Sequence, residues 1–227
     1  MLEIINEFVG RYGTMLLQGI VDTMKMTLFS TVFAYVIGLP LGVILIITKE
    51  HGICECKWLC SVIGWIVNVG RSLPFIILMV LLMPVTKAVM GTKLGVQGAI
   101  FPLVIAAAPF VARMVETSLA ELDSGIIEAA HAMGASNWQI IRKFYLPESL
   151  PSLVRGGSIS LITILAYTAI AGAVGAGGLG DIAIRYGYNR YEFDVLMVTV
   201  VLLIILVEIF QCIFNIIAKR IDKRIRK

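Results

Sequence analysis

The chain predicts an all-α integral membrane protein with five transmembrane helices. Its 227 residues are 59% hydrophobic and only 15% charged, and the mean hydropathy is +0.92. Soluble domains lie nearer about 45–50% apolar and about 25% charged, so this composition excludes an ordinary water-soluble enzyme and a disordered chain. The third observation is the length of the uncharged runs. A spanning helix needs roughly 20 apolar residues at about 1.5 Å each. Five runs of that order fill about half the chain and leave little for a second domain, so one domain over residues 1–227 is expected.

Met26 to Thr48 is free of charge and long enough to form the first span. Upstream, Ile4, Ile5, Phe8, Tyr12 and Met15 recur at helical spacing, either as a helix along the outer interface or as an extension of the first span. Glu3 and Glu7 precede any long apolar run, which is not the order of a cleavable signal, so the first span reads as its own insertion signal. Trp58 to Thr86, the longest of the five runs, has Arg71 as its only charge. Either Arg71 is an intramembrane charge of functional importance, or it ends an interfacial helix before a shorter span starting near Leu73 and Pro74. Leu94 to Ala112 and Gly156 to Gly180 are charge-free, and Val195 to Ala218 carries only Glu208. Glu208 reads as a residue facing a neighbouring subunit or lumen, or as a snorkelling or paired structural residue.

Five spans place the termini on opposite sides of the membrane. If the C-terminus is inside, segments 49–57, 113–155 and 219–227 hold twelve Lys and Arg residues against six on the other side, with Arg71 set aside. The excess of positive charge predicts a cytoplasmic C-terminus and an outside N-terminus. The net charge of +4 and the basic tail Lys219 to Lys227 then face anionic lipid, and no nucleic-acid partner is expected. Cys54, Cys56 and Cys60 fall in the first cytoplasmic loop, where thiols stay reduced, and Cys212 lies in the last span, so no disulfide framework is expected. The C-x-C-x-x-x-C spacing lacks the second knuckle of a zinc site, and His51 adds little to it.

One connection is long. Met114 to Arg155 has sustained mixed polarity and is where a soluble partner would touch. Asp123 or Ser124 caps a helix through Ile126, Ile127, Ala129, Ala130 and Met133, which Gly134 ends in the left-handed conformation. Ser136-Asn137-Trp138-Gln139 has capping-box spacing, and Ile140, Ile141 and Phe144 continue a second helix until Leu146-Pro147 stops it. Glu128, Arg142 and Lys143 remain on polar faces. Two short helices joined at a glycine make a rigid knob.

Glu128-Ala129-Ala130, three residues, Gly134, nine residues and Phe144-Tyr145-Leu146-Pro147 resemble the EAA loop of ABC-importer permeases, E-A-A-x3-G-x9-I-x-L-P. Phe144 stands where Ile is usual. Three further stretches extend the resemblance along the chain to the methionine-uptake branch: Arg71 to Ile77, Ala108 to Met114, and Gly172 to Gly180. The last of these also resembles permeases for quaternary amines and phosphonates.

The resemblance implies a permease subunit with a cytoplasmic coupling loop at about 114–155. Two copies of a cytoplasmic ATPase would each take Glu128, Ala129, Ala130, Gly134, Leu146 and Pro147 of one permease into a groove. ATP closing the ATPase pair would swing the spans between inward- and outward-open states. It also implies a bacterial inner-membrane location and an extracytoplasmic methionine-binding protein. Lys87 to Lys93 and Asp181 to Asp194 are candidate docking segments, with Tyr186, Tyr188 and Tyr191 suited either to an interface or to the headgroup level. Five helices are too few to enclose a gated path, so a homodimer about a two-fold axis is expected.

Gly175-Ala176-Gly177-Gly178-Leu179-Gly180 matches G-x-G-x-x-G, with Asp194 downstream. A dinucleotide fingerprint needs a soluble βαβ unit, whereas this one ends a span, so Gly175, Gly177, Gly178 and Gly180 read as a close helix approach or a hinge-like gate. No G-x-x-x-x-G-K-[ST] occurs, so ATP hydrolysis would belong to a partner. Arg71, Pro74, Met114 and Tyr167 are candidates for the translocation path, with Thr168 beside them. A lone polar group in a span also commonly bonds its own or a neighbouring helix. The ten methionines read mostly as packing. Two distant histidines, no paired carboxylates and no nucleophile with a base at readable spacing favour a conduit without metal or cofactor over an enzyme. The rival readings are an ABC permease for another small polar solute and an ion-coupled secondary carrier. The carrier would require acids at the midplane, where Glu208 stands alone.

Overall fold

The computed structural model describes residues 2–222, with side chains from Asn6 onward. Ile4, Ile5, Lys223, Arg224, Arg226 and Lys227, used in the sequence reading, therefore lie outside the described side chains. The described residues are helical without a strand: α1 (Leu2–Thr48), α2 (Lys57–Ser72), α3 (Phe75–Met90), α4 (Gly95–Ala120), α5 (Ser124–Ala132), α6 (Asn137–Ile140), α7 (Leu146–Glu148), α8 (Leu150–Gly172), α9 (Gly178–Ile182) and α10 (Phe193–Ile221). Two π-helical segments, Ile141–Tyr145 and Ala183–Tyr188, interrupt the series. By length and apolarity α1, α4, α8 and α10 are each able to cross a membrane, and α2 with α3 adds a fifth if the pair counts as one span.

The first helix is continuous from Leu2, so the upstream apolar residues extend the first span and form no separate interfacial helix. The second span divides where the sequence left the choice open. Leu73 is extended (φ −82°, ψ 127°), as a residue before proline prefers, and Pro74 then caps α3 without sacrificing an interior hydrogen bond. Arg71 thus sits exposed in the last turn of α2, where a positive charge suits the helix dipole.

The chain forms two compact units. The first comprises Met1–Thr31, Pro74–Val104 and Leu161–Phe210. Its core gathers Leu16, Leu179, Ile182 and Val195, with Phe8, Tyr12 and Met15 packed against them. The second comprises Val32–Leu73, Ile105–Ser160 and Gln211–Lys227. Leu45, Val67 and Ala112 form its core, with Leu41, Cys60 and Ile63 at the edge. α1 approaches α4 closely there: a Cβ on Gly42 would lie 2.6 Å from the Ala112 carbonyl oxygen, the small-residue contact by which membrane helices gain dispersion contacts.

Large apolar side chains point outward in both units. Phe29, Phe33, Trp65, Leu81 and Ile204 are each at least half exposed, and only 17% of the most apolar window of α10 is buried. A surface of this kind is stable against hydrocarbon and would associate in water.

Candidate functional site

The segment after α4 is built by local chemistry. The Asp123 carboxylate accepts the Gly125 N–H at 2.8 Å and caps α5, one of the two caps the sequence allowed. At the other end Gly134 adopts φ +78°, its N–H bonds the His131 carbonyl, and the Ala135 N–H bonds the Ala130 carbonyl. This pair of bonds is a Schellman termination, which a left-handed residue permits. Ser136 then opens α6 through a reciprocal capping box with Gln139, which satisfies two otherwise orphaned N–H groups.

The second helix departs from expectation at its end, because Leu146-Pro147 does not stop it. Over Ile141–Tyr145 the backbone widens to a π-helix and the Leu146 N–H reaches the Ile141 carbonyl five residues back. In an α-helix the ring of Pro147 would clash with the carbonyl four residues earlier, and the wider register moves that carbonyl aside. The helix instead ends at Glu148, and Ser149 links it to α8.

Ile127, Ala130, Ile140 and Tyr145 form the buried side of this segment. Burial pushes the Tyr145 phenol above its ordinary pKa of 10.0. Glu128, Ala129, Gly134, Arg142, Lys143 and Pro147 are exposed, and Leu146 is half-buried. Of the six candidate coupling residues, Ala130 alone is fully buried and supports the others from beneath. Met133 and Trp138 are 72% and 67% exposed on either side of Gly134. Sequence reading placed both in helices and assigned them no role. Their signal was a large apolar residue at each edge of a glycine turn in a stretch of mixed polarity. A cleft of about 420 Å³ beside α5 is lined by Glu50, His51, Ile127, Glu128, His131 and Tyr145. The first loop also touches α6, where the Asn137 amide donates to Cys54 Sγ at 3.0 Å.

The glycine-rich stretch is a sharp turn followed by a short helix. Gly175, Gly177 and Gly178 have φ of +88°, +81° and +77°, and α9 starts at Gly178. A Cβ on Gly178 would lie 2.7 Å from Thr23 Oγ1, so left-handed backbone and close approach coincide at one residue. The Thr23 hydroxyl accepts the Leu179 N–H. Thr23 was not anticipated from the sequence, since its partner lies 156 residues away.

The four candidate path residues are divided between the two units. In the first unit Tyr167 stacks on Phe75, the neighbour of exposed Pro74, with ring centroids 4.7 Å apart and planes within 5°. In the second unit Arg71 is exposed, and half-buried Met114 faces Gly156, where a Cβ would lie 3.6 Å from Met114 Cε. Thr168 donates to the Leu165 carbonyl in its own helix, as lone hydroxyls in spans commonly do. Arg113, adjacent to Met114, bonds Glu116 at 2.6 Å and the Asn68 amide oxygen at 2.7 Å.

Of the candidate docking tyrosines, Tyr188 and Tyr191 are 69% and 90% exposed. Tyr186 instead packs edge-on against Tyr12 under the guanidinium groups of Arg185 and Arg190. Glu208 is exposed on α10. No group of three His, Cys, Asp or Glu side chains suited to a metal ion occurs among the described residues.

Residues 38–227 match the family described as binding-protein-dependent transport system inner membrane component. The chain belongs to that family. As an inner-membrane component it is 48% identical over 220 residues to the probable D-methionine transport system permease protein MetI of Vibrio cholerae, covering 97% of this chain and 98% of that one. It is 48% identical over 158 residues to the D-methionine transport system permease protein MetI of Escherichia coli K12, covering 70% and 73% of the two chains. A solved structure of the MetNI methionine ABC transporter in inward-facing conformations superposes with a TM-score of 0.93 at 46% identity, covering 94% of this chain and 99% of that one. An amino acid ABC transporter at 18% identity and a TM-score of 0.77 shares the fold.

Proposed function

We infer that the chain is the membrane-spanning permease subunit of an ATP-driven ABC importer for methionine. The observation that carries the reading is the 48% identity, over nearly the whole of both chains, to a methionine permease. Two copies of the chain would enclose the translocation path, and a separate cytoplasmic ATPase would supply the energy, since the sequence holds no phosphate-cradling loop. The segment at about 114–155 is the coupling loop, with Glu128, Ala129, Gly134, Leu146 and Pro147 presented to the ATPase and buried Ala130 supporting them. Support comes from its rigid capped geometry and from the exposed Met133 and Trp138, apolar groups outside the membrane that a protein partner would cover.

The Lys and Arg bias supports a cytoplasmic loop, a cytoplasmic C-terminus and an outside N-terminus. An extracytoplasmic binding protein would then meet Lys87 to Lys93 and the segment bearing Tyr188 and Tyr191. Arg71, Pro74, Met114 and Tyr167 are assigned to the path, and Gly175, Gly177, Gly178 and Gly180 to a gate or hinge beside it.

Purification with the ATPase, followed by reconstitution with binding protein and labelled methionine, tests the assignment. ATP-dependent uptake that excess unlabelled methionine abolishes is expected. Uptake that methionine fails to compete would assign the chain to another small polar solute, and uptake without the ATPase would assign it to the secondary carriers.

A further inference from the structure

An ion pair joins the end of α10 to the start of α8. Arg155 Nη2 lies 2.7 Å from Asp222 Oδ2, and the Asp222 side chain is only 8% exposed against 57% for Arg155. Asp222 immediately follows α10, its N–H bonded to the Ala218 carbonyl at 2.9 Å. A carboxylate there is placed against the negative end of the helix dipole and is largely withdrawn from water, two costs that an apolar residue would avoid. Its position is therefore better explained by what it holds than by stability. Arg155 stands six residues beyond Ser149, the joint between the coupling segment and α8. The Ser149 N–H bonds the Tyr145 carbonyl and its own carbonyl receives the Leu153 N–H, so the hydrogen-bonded backbone continues from the π segment into α8. A polar cavity of about 50 Å³ lined by Ser118, Glu121, Glu148, Ser149 and Ser152 flanks the pair. The junction is thus polar on one side, and the ion pair ties its two helices across it.

We propose that Arg155 and Asp222 form a strut that makes the base of the coupling segment and the terminal helix move as one body, Asp222 being a positioning residue for transport. The inference rests on the importer reading above. Its test measures methionine taken up per ATP hydrolysed in vesicles holding the full complex with ATPase and binding protein. Asp222→Asn and Arg155→Gln keep complex assembly and ATP hydrolysis, and uptake per ATP falls about fivefold or more, the scale of a coupling between sites. The reversed pair Arg155→Asp with Asp222→Arg recovers most of the loss, which a purely local packing defect would not do. An unchanged ratio in the single variants, loss of the assembled complex, or a reversed pair no better than the single variants overturns the strut. The unaltered chain run in parallel separates the two claims: if it shows no ATP-driven methionine uptake, the importer reading fails, whatever the variants do.

Discussion

The Thr23 hydroxyl and the Leu179 backbone N–H meet at 2.9 Å with both residues buried, so a side chain of α1 supplies the hydrogen bond that the first turn of α9 cannot make internally. The N-terminal N–H groups of any helix lack intrahelical partners. Thr23→Val keeps the shape and removes the acceptor, and leaving that N–H buried and unpaired costs about 1–3 kcal/mol. The expected result is a lower thermal midpoint in detergent for Thr23→Val and a midpoint near that of the unaltered chain for Thr23→Ser.

At Gly134 no atom lies within 4 Å of an added Cβ, so the constraint is the backbone at φ +78°. A β-branched residue in that conformation costs about 1–2 kcal/mol or more, whereas Asn is tolerated. Gly134→Val should loosen the knob and reduce ATP-driven uptake while membrane insertion stays normal. Gly134→Asn should retain most uptake. Gly134→Asp inserts normally but loses coupling if the ATPase groove leaves no room beside the glycine, and unchanged uptake in that variant would remove Gly134 from the contact.

Trp138 presents an aromatic ring of the type that dominates protein interfaces. If the ATPase covers it, Trp138→Ala weakens association with the ATPase by about 2 kcal/mol or more. Binding measured between detergent-solubilised permease and ATPase reports this directly, and the fold should be unaffected because the ring is 67% exposed.

Burial holds the Tyr145 phenol above the pKa of 10.0 that it has in an unfolded chain. The folded segment therefore binds its proton more tightly than the unfolded one. Stability from this source is present below about pH 10 and is lost as pH rises from there through the higher folded value. Tyr145→Phe should flatten the alkaline decline of stability, measured by melting curves between neutral pH and pH 11 or so.

Tyr167 separates two roles. Its stack on Phe75 is retained by Tyr167→Phe and lost in Tyr167→Ala, at about 0.5–1.5 kcal/mol beyond the buried area. If the hydroxyl contacts solute, uptake falls in Tyr167→Phe with no change in melting. Equal uptake in Tyr167→Phe would confine the residue to packing.

Much of this fold was legible because its determinants are local. The five apolar stretches announce themselves by length alone, the cap at Ser136 and the stop at Gly134 follow from residue type and spacing, and the same signals narrow the α5 cap to Asp123 or Ser124. Pro147 was misread because a single-residue change of register leaves no mark in composition: nothing in Ile-Arg-Lys-Phe-Tyr distinguishes five π-helical residues from five α-helical ones. The Thr23 contact and the Arg155 pair join residues 156 and 67 positions apart, distances at which the side-chain chemistry of one partner says nothing about the other. Met133 and Trp138 passed as helix residues because exposure is decided by the packing of the whole segment.

The widened turn before Pro147 also fixes a length. Ile140 and Tyr145 are both buried although five positions apart; an α-helix turns about 100° per residue and would place them on different sides. Removing one residue between them would restore a regular spiral, and four steps of about 100° would still bring both side chains to one side, but the ring of Pro147 would then meet the carbonyl four residues before it. The extra residue is therefore what lets this chain carry a proline inside a continuing helix, and shortening the segment by one should cost stability at Pro147 while leaving Ile140 and Tyr145 on one buried face.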